Sequence, residues 1–430
     1  MRDIRKARFV VIAALVALVA AACGGGGGGT PTNTSGPQTL TWWHNGTLDP
    51  LKTLWQQTAA AYHAAHQNVK IVVNPIQNEQ FTTKIPLALQ SSSPPDVYQQ
   101  WGGGQEATQL KSGKLADLTD SVSGWLNQFG PAVQGWQVNG RQYGVPYDLH
   151  VVGFWYRKDL FARAGITSPP TTLADLETDI GKLKAANIAP IALGGKDRWP
   201  DAFYWDYFAV RECTVDTMKQ AAKSLDLSDP CWLKAGQDVK AFLATNPFQS
   251  GFLGTPAQQG AGSSAGLLAN GKAAMELQGD WEPGTMATLT NDKKLTSKMG
   301  WFPFPSVNGG KGDPRVALGG GDGFSCTTSA PPACADFLKY IDSVDVQKKL
   351  AADGIGLPVN PAAASAITDP SLQAAQQYNR ATPYIQLYFD IAFPTDVGQA
   401  LDDAVANYFA GQGSPQSIVT TVENAMAGDR

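Results

Sequence analysis

The chain has 430 residues, 43% of them apolar, enough to bury a large core divided over more than one lobe. Residues 1–22 carry Arg2, Arg5, Lys6 and Arg8 against Asp3, so setting them aside takes the formal net charge from -4 to -7. A mildly acidic chain without a basic run offers nothing to a phosphate backbone, which argues against nucleic-acid binding.

In chain order, those basic residues lead into an apolar run over 9–22 that fits a signal-peptide core and is too short for a comfortable membrane span. The small residues before Cys23 resemble the bacterial lipobox, with Ala20 where Leu or Val is usual; the resemblance implies that Cys23 is lipidated and becomes the mature N-terminus. Residues 24–29 are all glycine and 30–38 are rich in Thr, Pro and Ser, a composition suited to a flexible spacer. The expected layout is a signal peptide over 1–22, a lipid-anchored linker over 23–38, and an exported body on the extracellular face of the cell membrane. Setting Cys23 aside leaves Cys213, Cys231, Cys326 and Cys334, an even number in an oxidising compartment. Two disulfides in one of three pairings follow, and the sequence-local pairing is preferred because each pair brackets one short loop-rich stretch. The spacing is not of the CxxC type and no His is near, so no metal is expected.

From residue 40 strand-like and helix-like segments alternate. Residues 40–43 read as strand, the stripe Leu51, Leu54, Trp55, Thr58 and Tyr62 predicts a helix over 48–66, and 69–73 are β-rich. A helix over 80–89 contains Pro86 and closes at Ser91-Ser92-Ser93-Pro94-Pro95, before a short buried strand over 96–98. Trp101-Gly102-Gly103-Gly104-Gln105 follows that strand, at the place where ligands sit in open α/β sheets. Helices near 172–186, 218–224, 232–243 and 262–270 alternate with Trp-rich loops; strands over 299–304 and 319–324 and a helix over 334–343 come next. The fold class is α/β, and no solenoid-length repeat is visible.

Four segments, in order, resemble the extracellular solute-binding proteins of ABC importers, the large sugar-binding group, across essentially the whole chain after the spacer. The first is Leu40-Thr41-Trp42-Trp43-His44-Asn45. The second is Tyr143-Gly144-Val145-Pro146-Tyr147-Asp148 with Gly153-Phe154-Trp155-Tyr156-Arg157-Lys158-Asp159-Leu160-Phe161. Third comes Asn270-Gly271-Lys272-Ala273-Ala274-Met275 with Leu277-Gln278-Gly279-Asp280-Trp281. Last, Gly319-Gly320-Gly321-Asp322-Gly323-Phe324 leads to Ala335-Asp336-Phe337-Leu338-Lys339-Tyr340-Ile341. The Trp-His-Asn and Gly-Gly-Gly-Asp-Gly versions look most like actinobacterial members that bind short plant or chitin-derived oligosaccharides. The resemblance implies a two-lobed periplasmic-binding-protein-like fold with a ligand cleft between the lobes and several hinge crossings. Lobe 1 is expected over 39–147 and 299–345, and lobe 2 over 148–298 and 346–430. The expectation is a monomer with no cofactor that takes a mono- or oligosaccharide, passes it to ABC permease membrane subunits and changes shape by hinge closure.

Neutral sugars are recognised by aromatic faces against the apolar side of the ring and by polar side chains for the hydroxyls. Twelve tryptophans, many beside Gly, Asp or Asn, exceed what a core needs. Trp281, preceded by Asp280, is the platform candidate that the resemblance supplies. Trp43, His44 and Asn45 close the first strand, although alternation sends one of Trp42 and Trp43 into the core. Trp101 and Gln105 flank a glycine run that would let a ligand approach backbone amides. No Gly-Lys-Ser/Thr follows it, so it is not a P-loop. Asp148, Asp322 and Glu79 are hydroxyl partners or else ordinary turn and cap residues. Trp199 reads as a loop residue because Pro200 follows, and is favoured over Trp205 and Asp206 as the second lobe's platform. His63 and His66 share a helix face with no further ligand, so a solvated helix end is the plainer reading. His150 has no nucleophile with the glycine signature of a hydrolase elbow. The rival functions are a secreted glycoside hydrolase drawing on Asp148, Asp280, Glu282 and Asp322, and a lipid-anchored interaction protein. Against both stands the ordered set of cleft motifs, and the chain is read as a binding protein, not an enzyme.

Overall fold

The computed structural model describes residues 36–429; the signal peptide, Cys23 and most of the spacer lie outside them. Strand Gln38–His44 follows its own alternation, burying Leu40, Trp42 and His44 and leaving Trp43 half-buried on the other face. It pairs in parallel with Val69–Pro75 and Val97–Gln100, and Gly323–Cys326 and Gly144–Pro146 complete a five-stranded sheet on the antiparallel side. Trp42 is the centre of its core, with Trp55, Phe324 and Phe337 edge-on at 5.3, 5.2 and 5.0 Å. Burying each such ring contributes roughly 1.5–3 kcal/mol. Helix Leu51–Ala65 buries Leu54, Trp55, Thr58 and Tyr62 of the stripe predicted for it and leaves Leu51 half-buried.

A second sheet runs in the order Met299–Phe302, Gly153–Arg157, Ala273–Gln278, Ala189–Ala192. Its helices start where the sequence writes a start. Thr172 and Asp175 form a reciprocal capping box for Leu173–Ala185, and Asp229 accepts from the Cys231 N–H ahead of Pro230–Ala244. Cys213 bonds Cys231 and Cys326 bonds Cys334, the sequence-local pairing.

The third sheet, Leu357–Pro358, Asp148–Val151, Ala317–Gly320 and Ile385–Leu387, receives the chain from the first sheet at Tyr147 and returns it at Gly321 and Asp322. The stretch 319–324, expected as one strand, is therefore two strands in different sheets. The two crossings touch backbone to backbone: the Tyr147 N–H donates to the Asp322 carbonyl (2.8 Å), and a Cβ on Gly321 would lie 2.4 Å from the Asp148 carbonyl oxygen.

Two expected lobe boundaries differ from this arrangement. Met299–Phe302 pairs with Gly153–Arg157 in the second sheet, with Phe302 stacked on Phe154 at 5.1 Å, so the chain rejoins the first sheet only at Gly323. Val346, Leu350 and Ile355 pack into the core around Trp42, so the stretch 346–355, ahead of strand Leu357–Pro358, packs with the first sheet. Helices Thr395–Phe409 and Pro415–Asp429 pack on the second-sheet side, against Trp199–Glu212 and Pro230–Ala244. Among the described residues no helix is long and apolar enough to cross a membrane.

Candidate ligand-binding cleft

A cleft of about 780 Å³ opens between the strand ends of the first sheet and the second-sheet side. Asn45, Glu79, Trp101, Gln105, Asp148, Trp199, Trp281 and Asp322 line it, whereas Trp43, His44 and Asp280 do not. Trp43 packs with the small cluster around Phe81. His44 is buried, and its Nδ1 accepts the Gly46 N–H (3.1 Å); burial pushes it down to about 3, so a neutral imidazole holds the turn that presents Asn45.

The glycine run has another use than the expected one. Gly102 and Gly103 have φ of 75° and 63°, and a Cβ on Gly103 or Gly104 would come within 2.5 Å of Leu387 or of the Ala392 carbonyl. Gly103 and Gly104 admit the chain's own C-terminal segment, and Gly102 admits the Gly135 carbonyl. Trp199 is likewise not in a loop: it is the first residue of helix Trp199–Glu212, where Pro200 costs nothing because a first-turn N–H has no helical partner. Trp205 and Asp206 are interior to the same helix.

Trp281 directly precedes helix Glu282–Thr288, and its ring lies across Gly279, where a Cβ would sit 2.2 Å from the indole. The rings of His150 and Trp281 meet perpendicularly at 4.7 Å and 89°, and Trp199 stands 6.3 Å away. Phe203 and Tyr388 extend this aromatic wall, stacked at 5.4 Å. Asp280 is fully buried and acts through its neighbours: its carboxylate accepts from His150 Nδ1 (2.9 Å), the Val151 N–H (3.2 Å) and the Leu357 N–H (2.9 Å).

On its other nitrogen His150 lies 3.2 Å from Asp148 Oδ1 and 3.7 Å from Asp322 Oδ2. The Asp322 N–H donates to Asp148 Oδ1 (2.6 Å), and the Tyr147 hydroxyl donates to Asp322 (3.1 Å). Burial pulls the His150 imidazole down, but the charges of Asp148 and Asp280 more than reverse this and hold it well above its ordinary value. Asp148, His150 and Asp322 have the mutual spacing of metal ligands. The two ring nitrogens of His150 face carboxyl groups on both sides, an arrangement that favours the charged imidazole.

Carboxylates dominate the rest of the lining, with Asp49, Asp197, Asp390, Asp402 and Asp403 alongside those named, against Lys196 and Arg198. Glu79 is pushed up by burial and lies near Asp197, Trp199 and Lys196. At the same rim Gln259 Nε2 donates to Gln77 Oε1 (3.0 Å), so the two sides of the cleft touch there. Tyr147, His150, Tyr388, Asp390 and Asp402 were not among the sequence candidates. Tyr147 carried a usable signal, since it sits between Pro146 and the crossing residue Asp148; the last three come from a helical C-terminal stretch without a motif.

Residues 45–348 match the model of the bacterial extracellular solute-binding proteins. The chain belongs to this family. An ABC transporter extracellular-binding protein of Pyrococcus horikoshii is 28% identical to it over 265 residues, 59% of this chain and 58% of that protein. The diacetylchitobiose binding protein of Streptomyces coelicolor is 26% identical over 269 residues, 62% of this chain and 60% of that protein. The chain thus spans about three fifths of the length of these relatives, from 58% to 60%. A structure solved in work on xylan utilization by the thermophilic bacterium Caldanaerobius polysaccharolyticus superposes with a TM-score of 0.82 at 25% identity, covering 90% of this chain and 99% of that one. The fold is the two-lobed α/β fold of these binding proteins.

Proposed function

We propose that this chain is the exported, sugar-capturing component of an ABC importer, which closes two lobes on a short oligosaccharide and presents it to the membrane permease subunits. The observation that carries the reading is the cleft itself: the indoles of Trp281 and Trp199, 6.3 Å apart, line it together with the polar groups of Asp148, Asp322, Gln105, Asn45 and Glu79. A sugar ring offers an apolar face to the first set and a rim of hydroxyls to the second. Trp101 closes the far side, and the lobes part at the paired crossings near Tyr147 and Asp322. The diacetylchitobiose specificity of one relative and the xylan context of one structural neighbour support a β-linked oligosaccharide as the ligand class.

Titrating the purified body with xylo-, cello-, malto- and chito-oligosaccharides, while assaying product release, tests the proposal. Heat of binding to at least one series without product is the expected result. Released product would make the protein a glycoside hydrolase, and no heat with any series would remove sugar as the ligand. Anchoring through Cys23 belongs to the same proposal; a Cys23→Ala protein that stays with the membrane fraction would refute it.

A further inference from the structure

One end of the cleft is more acidic than hydroxyl recognition requires. Asp390, in Phe389–Ala392, and Asp402, in Thr395–Phe409, both line it, with Asp206 of helix Trp199–Glu212 in their electrostatic reach. Asp206 is 1% exposed; its Oδ2 takes the Phe389 N–H (3.3 Å) and its Oδ1 has no partner, nor has the buried Oδ1 of Asp402. Among the described residues no lysine or arginine pairs with any of the three: Arg198 is bonded to Asp403, and Lys196 lies by Glu79 and Asp197. A further polar group points the same way. Tyr388, two residues before Asp390, is 7% exposed and lines the cleft, and its hydroxyl has no partner.

Three carboxyls from three helical segments, within electrostatic reach of one another and without a cationic partner among the described residues, are unfavourable as anions. Burial pushes Asp390 up to about 7, in keeping with a group that waits for a counter-charge. An ammonium has three donors and no acceptor, which matches acceptor oxygens left open, whereas a hydroxyl would leave the like charges uncompensated.

We propose that this end of the cleft, formed by Asp390 and Asp402 with Asp206 behind them and the Tyr388 hydroxyl beside them, binds a protonated amine, so that the ligand is an oligosaccharide carrying a free amino sugar. The proposal rests on the sugar-binding reading above and narrows it to a cationic class.

The wild-type protein is titrated at neutral pH with β-linked glucosamine dimers and trimers, with their fully N-acetylated counterparts of the same linkage and length, and with neutral xylo- and cello-oligosaccharides. The free amine is expected to bind about tenfold to a hundredfold more tightly than its acetylated twin, the range of a hydrogen bond to a charged group. Asp402→Asn and Asp390→Asn are each expected to bring that ratio within about threefold. The ratio is the readout, and thermal unfolding of both variants shows that they are folded. Acetylated or neutral sugars binding as tightly as the amine would overturn the inference and leave the sugar reading standing. So would an amine preference that survives both substitutions. Absence of binding by every oligosaccharide would remove both readings together.

Discussion

The platform proposed for Trp281 depends on neighbours that hold its ring in place. Gly279 admits the ring, and the perpendicular His150 ring packs against it. Trp281→Ala should therefore weaken sugar affinity by about 10- to 1000-fold, the loss of a large stacking surface. Gly279→Ala should weaken it by a comparable factor although the tryptophan is still present, because the added methyl needs the space that the ring occupies. Calorimetry on the folded variants checks both, and unchanged affinity in Trp281→Ala would end the platform assignment. Asp280 makes a different prediction, since it never touches the cleft. Asp280→Asn removes the partner of a buried imidazolium and should cost about 3–5 kcal/mol in a urea titration. The sign of its pH dependence follows from His150, whose folded pKa is raised. The stability that His150 contributes is full below its ordinary value, about 6.5, and fades as pH rises through the raised one. The wild-type advantage over Asp280→Asn should shrink in that direction; an advantage that grows with pH would contradict the imidazolium.

Helix Gly103–Leu110 shows how an element at the cleft is held by a group that the ligand never meets. Glu106 is fully buried, neither of its carboxyl oxygens has a partner, and burial pushes it up to about 8. Its folded pKa lies above the unfolded one, so its contribution is full below the ordinary carboxylate range and is lost as pH rises through about 8. Glu106→Gln should flatten that loss and leave the variant more stable than wild type by on the order of 4 kcal/mol above about pH 9, read from urea midpoints across pH. A wild-type disadvantage against Glu106→Gln that does not grow between about pH 5 and about pH 8 would rule out the buried acid. Elements of this kind were legible wherever the signal was local: the stripe of Leu51–Ala65, the helix expected near 172–186 and the Trp42/Trp43 alternation. The glycine run misled because a chain and a ligand approach a bare backbone in the same way, and only the position of Leu387 and Ala392 tells which one does. Trp199 misled because proline is common both in loops and in a first helical turn.

At the scale of the molecule, long-range pairing decides what local pattern cannot. Nothing in Gly319-Gly320-Gly321-Asp322-Gly323-Phe324 marks the point where one sheet ends and another begins; the division appears only when Ala317–Gly320 finds Asp148–Val151 and Gly323–Cys326 finds Val97–Gln100. Tyr388, Asp390 and Asp402 reach the cleft for the same reason, carried there by helices whose apolar faces pack on Trp199–Glu212. The two crossings at Tyr147 and Asp322 are bonded to each other, and Gly103 and Gly104 pack closely on Leu387 and Ala392, while at the rim of the cleft Gln259 makes an exposed hydrogen bond to Gln77. Such a bond is worth only about 0.5–1.5 kcal/mol, too little to keep a cleft shut without a ligand. Closure must then come from a ligand that touches both walls, and the shift in population is bounded by the difference in its contacts between the open and closed states. Solution scattering should accordingly give a larger radius of gyration without sugar than with it, and Gln77→Ala should widen that gap little. Equal radii at saturating sugar, with binding verified in the same sample, would mean a rigid cleft, and a permease would then have to read the sugar itself instead of the shape of its carrier.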